Sequence, residues 1–295
     1  MLRVGTAGWS YPDWEGIVYP KGVATTAEAL VLVASLFDTV EINMTFYRVP
    51  SVRMAESWAR RVAARPHFRF TAKLWQGFTH ARDEPHAAEE RAFKEGIEPL
   101  REAGRLGALL MQFPHSFRNT PQNRGYLDSL LTRFETYPLV VEVRHASWLK
   151  DEFLESLAAR DVGFCNVDQP IIGAAVPPTS VMTGGSGYVR LHGRNRENWF
   201  KKDAGRDARY DYLYSHDEIR EWVDRIKAMQ GKAKRGGDIF IIANNHYRGQ
   251  APANALELLH MMTGNLVKVP ESLVAAYPRL APITVKLEKP GMLPL

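Results

Sequence analysis

The segment from residue 139 to residue 148, LVVEVRHASW, combines apolar alternation with two opposite charges. In a strand, Val141 and Val143 would face one side, because successive side chains of a strand point to opposite faces. Glu142 and Arg144 would face the other side, and burying either charge without a partner costs free energy. A strand with an apolar outer face and a charged inner end is typical of the catalytic mouth of a parallel barrel.

Charged and amide side chains also lie toward the C-terminal ends of other predicted strands. In a parallel barrel the carboxyl ends of the strands meet at one face, so we expect these side chains to converge on one pocket. The alternative, a set of internal salt bridges closing the barrel, is less favoured for all of them together, because so much buried polarity is costly without a ligand. The ten residues are Glu41, Asn43, Lys73, Gln112, Glu142, Arg144, Asp168, Arg190, His192 and Asn244.

The residue types in this set favour an enzyme that binds a small anionic substrate and uses metal-free acid/base chemistry. The guanidinium groups of Arg144 and Arg190 are suited to a phosphate or carboxylate. Glu142 or Glu41 would serve as general base, and His192 would be the acid, because imidazole titrates nearest neutral pH. The predicted catalytic residues are Glu41, Glu142, His192, Lys73 and Asp168, and the predicted substrate-binding residues are Asn43, Tyr47, Gln112, Arg144, Arg190, Asn244, Trp9 and Tyr11.

Lys73 allows more than one role. Its ammonium could join the anion clamp, or its amine could form a Schiff base if desolvation lowers its pKa. We favour a third interpretation, in which Lys73 is the counter-ion of Glu41 or Asp168. The aromatic residues near the strand ends, among them Trp9 and Tyr11, could stack on a ligand, but rim aromatics more often wall a pocket or pack loops.

A metal-dependent phosphoesterase or sugar isomerase-type enzyme is an alternative. Glu41, Glu142, Asp168 and His192 would form an oxygen-rich ligand set for manganese, magnesium or zinc. Three nearby cationic side chains argue against it, and no His-x-x-x-His or Cys-x-x-Cys spacing supports it. The sequence also has no dinucleotide fingerprint and no Walker motif, so we predict neither a metal nor a nucleotide cofactor.

A second alternative is a nucleic-acid-binding protein. The segment 194–214 interleaves basic and aromatic residues, from Arg194 through Trp199, Lys201 and Lys202 to Tyr214. Such a surface can hold phosphates and stack bases. A solvated basic loop whose aromatic residues pack on the barrel is the favoured interpretation of this segment.

Eight strands alternate with helices along the chain. The helices are predicted at 28–36, 51–64, 89–102, 122–134, 152–160 and 217–229, and the connection 170–186 is rich in Pro and Gly, with little helical period. This alternation predicts a single (β/α)8 TIM-like barrel, with parallel strands and outer helices, over residues 1–265, and a C-terminal tail, 266–295, that packs on it. The predicted strands are 2–9, 39–47, 68–74, 106–113, 139–148, 163–169, 187–193 and 239–246.

Composition places the 295-residue chain among ordinary soluble globular proteins. It is 45% hydrophobic and 24% charged, with a net charge of +5 that favours anionic partners only mildly. No apolar run reaches the roughly 20 residues of a membrane span, so we expect a cytoplasmic protein with no membrane partner. The single cysteine, Cys165, is expected to be a buried structural thiol. The sequence does not specify an oligomeric state.

Short motifs follow one another along the chain in a fixed order. They are VGTAGWS at 4–10, VEIN at 40–43 with FY at 46–47, FTAK at 70–73, QFP at 112–114, EVRH at 142–145 with SW at 147–148, YVRLHG at 188–193 and NN at 244–245. This ordered set resembles the YecE-like family, domain of unknown function 72. The resemblance implies a TIM-barrel fold and no particular reaction.

Overall fold

The strands form a closed, all-parallel barrel in sequence order, which confirms the predicted (β/α)8 fold. The computed structural model describes residues 1–22, 25–82, 86–199, 201, 205–233 and 237–286. Strand β1 pairs with β2 on one side and with β8 on the other, which closes the sheet. The barrel strands are β1 (Leu2–Ala7), β2 (Thr39–Ile42), β3 (Arg69–Lys73), β4 (Leu106–Gln112), β5 (Leu139–Glu142), β6 (Gly163–Asp168), β7 (Gly187–Leu191) and β8 (Ile239–Ala243).

Helices surround this barrel, and local sequence signals start several of them. Thr25 and Glu28 form a capping box at the start of a helix: the Thr25 hydroxyl accepts from the Glu28 backbone, and the Glu28 side chain accepts from the Thr25 backbone. Ser215 and Glu218 form a second capping box. Ser51 caps its helix as the sequence predicts. The helices are α1 (Thr26–Leu36), α2 (Met44–Tyr47), α3 (Val52–Arg61), α4 (Gln76–Thr79), α5 (Ala87–Glu102), α6 (Pro121–Arg133), α7 (Asp151–Ala159), α8 (Gly205–Ala208), α9 (His216–Gln230), α10 (Gln250–Thr263) and α11 (Glu271–Ala276).

All eight barrel strands end before their predicted ends, and two of them end five or more residues early. The stretch 39–47 leaves the sheet after Ile42 and turns into α2, and the stretch 139–148 ends at Glu142. Asn43, Tyr47 and Arg144 therefore lie in the connections that follow the strands. Between β6 and β7 the described residues 170–186 contain no helix, as their composition indicates.

The main hydrophobic core lies between the barrel and the helices. Trp14, Trp148 and Trp222 are fully buried there. Each indole N–H has an acceptor: the His246 carbonyl for Trp14, the Phe117 carbonyl for Trp148 and a carboxylate for Trp222. Polar partners for the indole nitrogens allow these large rings to be buried without an unsatisfied donor.

The described part of the C-terminal segment packs against the barrel domain. Strand β9 (Val267–Val269) pairs with β10 (Thr284–Lys286), and α11 lies between them in the chain. Leu273 and Leu280 are fully buried, and Arg279 donates a hydrogen bond to the Tyr214 carbonyl at 2.8 Å. Residues 287–295 of the predicted tail lie outside the described residues. None of the helices in the described ranges is both long and apolar enough to cross a membrane.

Candidate functional site

A buried arginine joins two carboxylates inside the barrel. Arg190 on β7 donates from Nη1 to Glu142 Oε2 at 2.8 Å and from Nη2 to Glu41 Oε1 at 2.6 Å. All three side chains are at most 2% exposed. The alternation of β2, β5 and β7 turns these side chains inward from separate strands, as the sequence predicts. Each carboxylate is paired with the guanidinium of Arg190, and this pairing offsets part of the free-energy cost of burying the charges.

Hydrogen bonds fix this network to the layer of side chains beneath it. Tyr188, two residues before Arg190, donates to Glu41 Oε2 at 2.9 Å, and its hydroxyl contacts Thr71 Oγ1 at 2.7 Å. Cys165 is buried, as predicted, with its thiol 3.7 Å from Glu142 Oε2. Burial and the neighbouring carboxylate raise the pKa of Cys165 well above its usual value, so the thiol stays protonated.

Arg144 lies above Glu142 and is the more accessible of the two arginines. Its Nη2 is 2.5 Å from Glu142 Oε1, and its Nη1 donates to Gln169 Oε1 at 2.7 Å. The side chain is 13% exposed, against 2% for Arg190. Burial would raise the pKa of Glu142, but Arg144 and Arg190 outweigh it and hold that pKa well below its usual range. Glu142 is therefore a charged counter-ion and a weak base.

His192 is a neutral acceptor in this site. Burial and the charges of Arg144 and Arg190 lower its pKa well below the usual value. Its Nε2 lies 2.9 Å from Nη2 of Arg144, and a guanidinium can only donate, so Nε2 accepts. Its Nδ1 lies 2.8 Å from the side-chain nitrogen of Asn244, so both ring nitrogens face groups that donate. This environment disfavours the role of proton donor that the sequence predicts for His192.

Lys73 has a different environment from the arginines. Its Nζ donates to Gln112 Oε1 at 3.2 Å and lies 4.0 Å from the centre of the Phe46 ring. No carboxylate of the described residues is within 4.0 Å of it, so Lys73 is not the direct counter-ion of Glu41 or Asp168 that we favoured from sequence. Burial and the charge of Arg190 lower the pKa of Lys73 to about 7. A large share of this amine is therefore neutral at neutral pH.

Two predicted site residues do not face this cluster of charged side chains. Asp168 accepts hydrogen bonds from the indole of Trp222 on α9 and from Arg194, at 2.8 Å to Nη2, so its carboxylate faces the helical layer. Trp9 is buried, donates to the Thr26 carbonyl at 2.9 Å and packs edge-on against another tryptophan of the outer layer. Both residues support the fold around the site, and neither contacts the pocket network of charged side chains.

The remaining predicted binding residues lie around the strand ends. Asn43 is half-buried, and Tyr47 is 59% exposed on α2. Tyr11 stacks on His246 with the ring centres 4.5 Å apart, and Tyr210 lies 5.0 Å from the same imidazole. These rings form an aromatic side of the mouth. The sequence analysis predicts Tyr11 as a binding residue, includes Tyr210 only as part of the segment 194–214 and does not predict His246.

The sequence analysis also missed His80 and Phe46. Burial and the charge of Lys73 lower the pKa of His80 to about 4, and its ring packs edge-on against Phe46 at 4.9 Å. Phe46 lies in α2, inside the stretch that alternation predicts as a strand, and His80 directly follows α4. Their proximity to Lys73 depends on contacts between different elements, which a pattern within one segment does not show.

The sequence comparison decides the family. The family model described as "Protein of unknown function DUF72" matches residues 3–277. The chain belongs to the DUF72 family. This confirms the resemblance drawn from the motifs, because the YecE-like family and DUF72 are the same family.

Three other proteins match this chain over most of their length. The UPF0759 protein YunF of Bacillus subtilis is 30% identical over 276 residues, which cover 89% of this chain and 95% of that protein. A DUF72 crystal structure from Thermotoga maritima is 35% identical, with a TM-score of 0.78 and coverage of 89% of this chain and 99% of the other. One from Enterococcus faecalis is 27% identical, with a TM-score of 0.77 and coverage of 89% and 95%.

In this DUF72 protein the segment 194–214 makes mainly internal contacts. Arg194 binds the carboxylates of Asp168, Glu218 and Glu221, and the Tyr214 hydroxyl accepts from the Gly193 backbone. Phe200 and Lys202, which the sequence analysis included in this segment, lie outside the described residues. The observed contacts favour a loop that packs on the barrel.

Two open clefts lie elsewhere on the DUF72 barrel. One lies between α6 and α7, beside Trp148 and Phe153, and the other lies between α7 and the segment 179–183. Neither cleft is lined by any of the predicted catalytic or binding residues. The ionisable side chains that could do chemistry are at the mouth, so we place the candidate site there.

The side-chain oxygen and nitrogen atoms at the mouth that could ligate a metal ion are already paired with other groups. Both oxygens of Glu41 and of Glu142 face hydrogen-bond donors or cations, and the Nε2 lone pair of His192 faces Arg144. A divalent cation would have to displace these guanidinium groups. Within the described residues, no group of three His, Cys, Asp or Glu side chains is arranged to hold a metal ion.

Proposed function

We propose that this DUF72 protein is an enzyme that binds a small anionic substrate at the mouth of its barrel and uses Lys73 for metal-free proton transfer. The observation that carries the proposal is the pairing pattern of the charges. Glu41 and Glu142 are neutralised by Arg190 and Arg144, whereas among the described residues the Lys73 amine contacts an amide oxygen and an aromatic ring and no carboxylate. Lys73 is thus the cation of this cluster that an incoming anion can pair with.

Arg144 is the second group that supports anion binding. It is more exposed than Arg190, and its buried Nε has no acceptor among the described residues. A buried donor without an acceptor is costly, so a ligand oxygen that reaches it would be favourable. Arg190 is assigned a different role from the one predicted: it holds Glu41 and Glu142 in place and is too deeply buried to contact substrate directly.

The charges couple anion binding to proton uptake. Near neutral pH the Lys73 amine is partly neutral, and a phosphate or carboxylate beside it would favour the ammonium form. The bound substrate therefore raises the proton occupancy of Lys73 and places that proton next to the substrate. A group whose pKa lies near the working pH is well suited to give and take protons during a reaction.

A calorimetric titration with inorganic phosphate tests this proposal. We expect binding that weakens as the pH rises above about 7, because the Lys73 ammonium is lost. Arg144→Gln should weaken the affinity by about tenfold or more, which corresponds to the loss of one charged hydrogen bond. Arg60→Gln, at an exposed position on α3, is the matched control and should leave the affinity unchanged.

Arg144→Lys keeps the charge beside Glu142 and controls for misfolding of the Gln variant. It should fold like the wild-type protein and bind phosphate more weakly, because an ammonium cannot replace the guanidinium fork. Equal phosphate affinity in the wild-type protein and both Arg144 variants, or no phosphate binding at any pH, would contradict the proposal.

A further inference from the structure

We infer that the substrate is an aldehyde or ketone that also carries a carboxylate or phosphate, and that Lys73 binds its carbonyl carbon as an imine. This inference rests on the proposed function, because the anionic group of the substrate is held at the site proposed above. It goes further by naming the reactive group of the substrate and the bond that it forms with the protein.

The surroundings of Lys73 suit a nucleophilic amine. A lysine that pairs with a carboxylate is held as ammonium and has no lone pair to donate. Lys73 instead hydrogen-bonds to the neutral carboxamide of Gln112 and contacts the Phe46 ring, and the described residues bring no carboxylate within 4.0 Å of it. The side chain is also kept from bulk water, because the residue is only 9% exposed.

The position of Lys73 supports the same inference. It is the last residue of β3, at the carboxyl end of the barrel where substrates of such folds bind. Arg144 and Arg190 are close enough to lower the basicity of its amine through their charges. The same positive field attracts the anionic group of the substrate to Arg144, which brings the carbonyl carbon to the fraction of Lys73 that is neutral.

The proposed step needs no reagent beyond the substrate. The Nζ lone pair attacks the carbonyl carbon, a C–N bond forms, and the carbonyl oxygen takes up a proton to give a carbinolamine. The C–O bond then breaks, and the oxygen leaves as water with the two hydrogens that Nζ has lost. The product is an imine between Nζ and the substrate carbon, with no change in oxidation state. Protonation of this imine draws electrons from the neighbouring substrate carbon.

Reductive trapping of the purified full-length chain tests the inference. The protein is treated with glyoxylate and sodium cyanoborohydride at neutral pH, and the labelled lysines are identified by intact mass and peptide mapping. We expect Lys73 to be labelled about tenfold or more faster than Lys94, which is paired with a carboxylate, that of Glu90 on α5. Acetaldehyde, which has a methyl group in place of the carboxylate, should label Lys73 more slowly than glyoxylate does.

Three variants define the site of labelling. Lys73→Arg should lose the fast label, and Lys94→Arg should keep it. Gln112→Glu places a carboxylate beside Nζ, so it should hold Lys73 as ammonium and slow the labelling severalfold. The Gln112 variant retains the lysine and nearly the same side-chain shape, so it tests the inference even if Lys73→Arg does not fold.

The outcomes separate this inference from the proposed function. Fast labelling of Lys73 that inorganic phosphate suppresses supports both. Labelling spread evenly over exposed lysines, or absent from Lys73, while phosphate still binds in calorimetry, overturns the imine and leaves the anion site standing. Labelling absent from Lys73 together with no phosphate binding overturns both.

Discussion

At the scale of single residues, Lys73 and Arg190 are two buried cations of one cluster that have different hydrogen-bond partners. Arg190 donates to Glu41 and Glu142, so its charge is needed to keep two carboxylates inside the barrel. Lys73 donates to the carboxamide of Gln112, so its charge is compensated by no direct partner among the described residues. The first arrangement builds the site, and the second leaves a group that can change its protonation state.

Lys73 should make folding stability depend on pH. Its pKa falls from 10.5 to about 7 in the folded protein, so between these values the unfolded chain binds more protons and stability rises with pH. Lys73→Met removes this titration. The variant should therefore gain stability relative to wild type at about pH 6, and the difference should shrink toward about pH 9. Urea unfolding at both pH values measures it, with Lys94→Met as the surface control. An equal difference at both pH values would contradict the account.

Strand alternation predicted the inward residues of the site but not their pairing. It correctly grouped Tyr188, Arg190 and His192 on one face of β7. It also included Asp168, although β6 turns that carboxylate outward to Arg194 on the helical side. Both faces of a barrel strand are buried, so alternation separates the two faces without saying which one is the lumen. That assignment needed the neighbouring strands and helices.

At the scale of elements, the sequence predicted all eight barrel strands and six of the eleven described helices, and α10 is the longest helix that it missed. Alternation and capping residues such as Ser51 mark elements with one polar face or a clear start. Helix α10 begins after Gly249, has no side-chain cap and is buried at every position from Ala251 to Leu258. A helix that is buried on all sides has no polar stripe, so periodicity does not reveal it. In the same way, alternation alone did not show that β2 ends at Ile42.

Alanine substitutions at two helical glycines should change the free energy of unfolding in opposite directions. Alanine at Gly96 of α5 would place its Cβ 1.9 Å from the Pro50 carbonyl oxygen, in the contact with the segment before α3. Gly96→Ala should therefore destabilise the protein by about 1–3 kcal/mol, although alanine favours helix. At Gly125 of α6 no atom lies within 4 Å of the added Cβ. Gly125→Ala should stabilise by about 0.5–1 kcal/mol. Chemical denaturation measures both, and the same sign for the two variants would refute the proposed close packing.

At the scale of the whole molecule, the mouth and the C-terminal segment are linked through the last helices. Arg279 donates to the Tyr214 carbonyl and lies 2.9 Å from Glu257 Oε2 of α10. The Ser272 hydroxyl donates to the Ile17 carbonyl at 2.8 Å, so the segment also reaches the loop after β1. These contacts join the C-terminal segment to the first part and to the last part of the barrel sequence.

The C-terminal segment should therefore contribute to global stability. Leu280 is fully buried, and Leu280→Ala should lower the free energy of unfolding by about 2–5 kcal/mol. Leu266 is 55% exposed, and the same substitution there should change stability by less than about 0.5 kcal/mol. Urea unfolding followed by circular dichroism compares the two. If Leu280→Ala were as stable as Leu266→Ala, the segment would not be part of the cooperative fold.

The central claim is that the binding of an anion at the barrel mouth is coupled to the protonation of Lys73. The most direct measurement is a pH titration of the Lys73 ¹⁵Nζ resonance in ¹⁵N-lysine-labelled protein, assigned with Lys73→Arg, with and without inorganic phosphate. We predict a midpoint at about 7 without phosphate and a higher midpoint with it, because the bound anion stabilises the ammonium. A midpoint near the ordinary lysine value of about 10.4, unchanged by phosphate, would contradict the account.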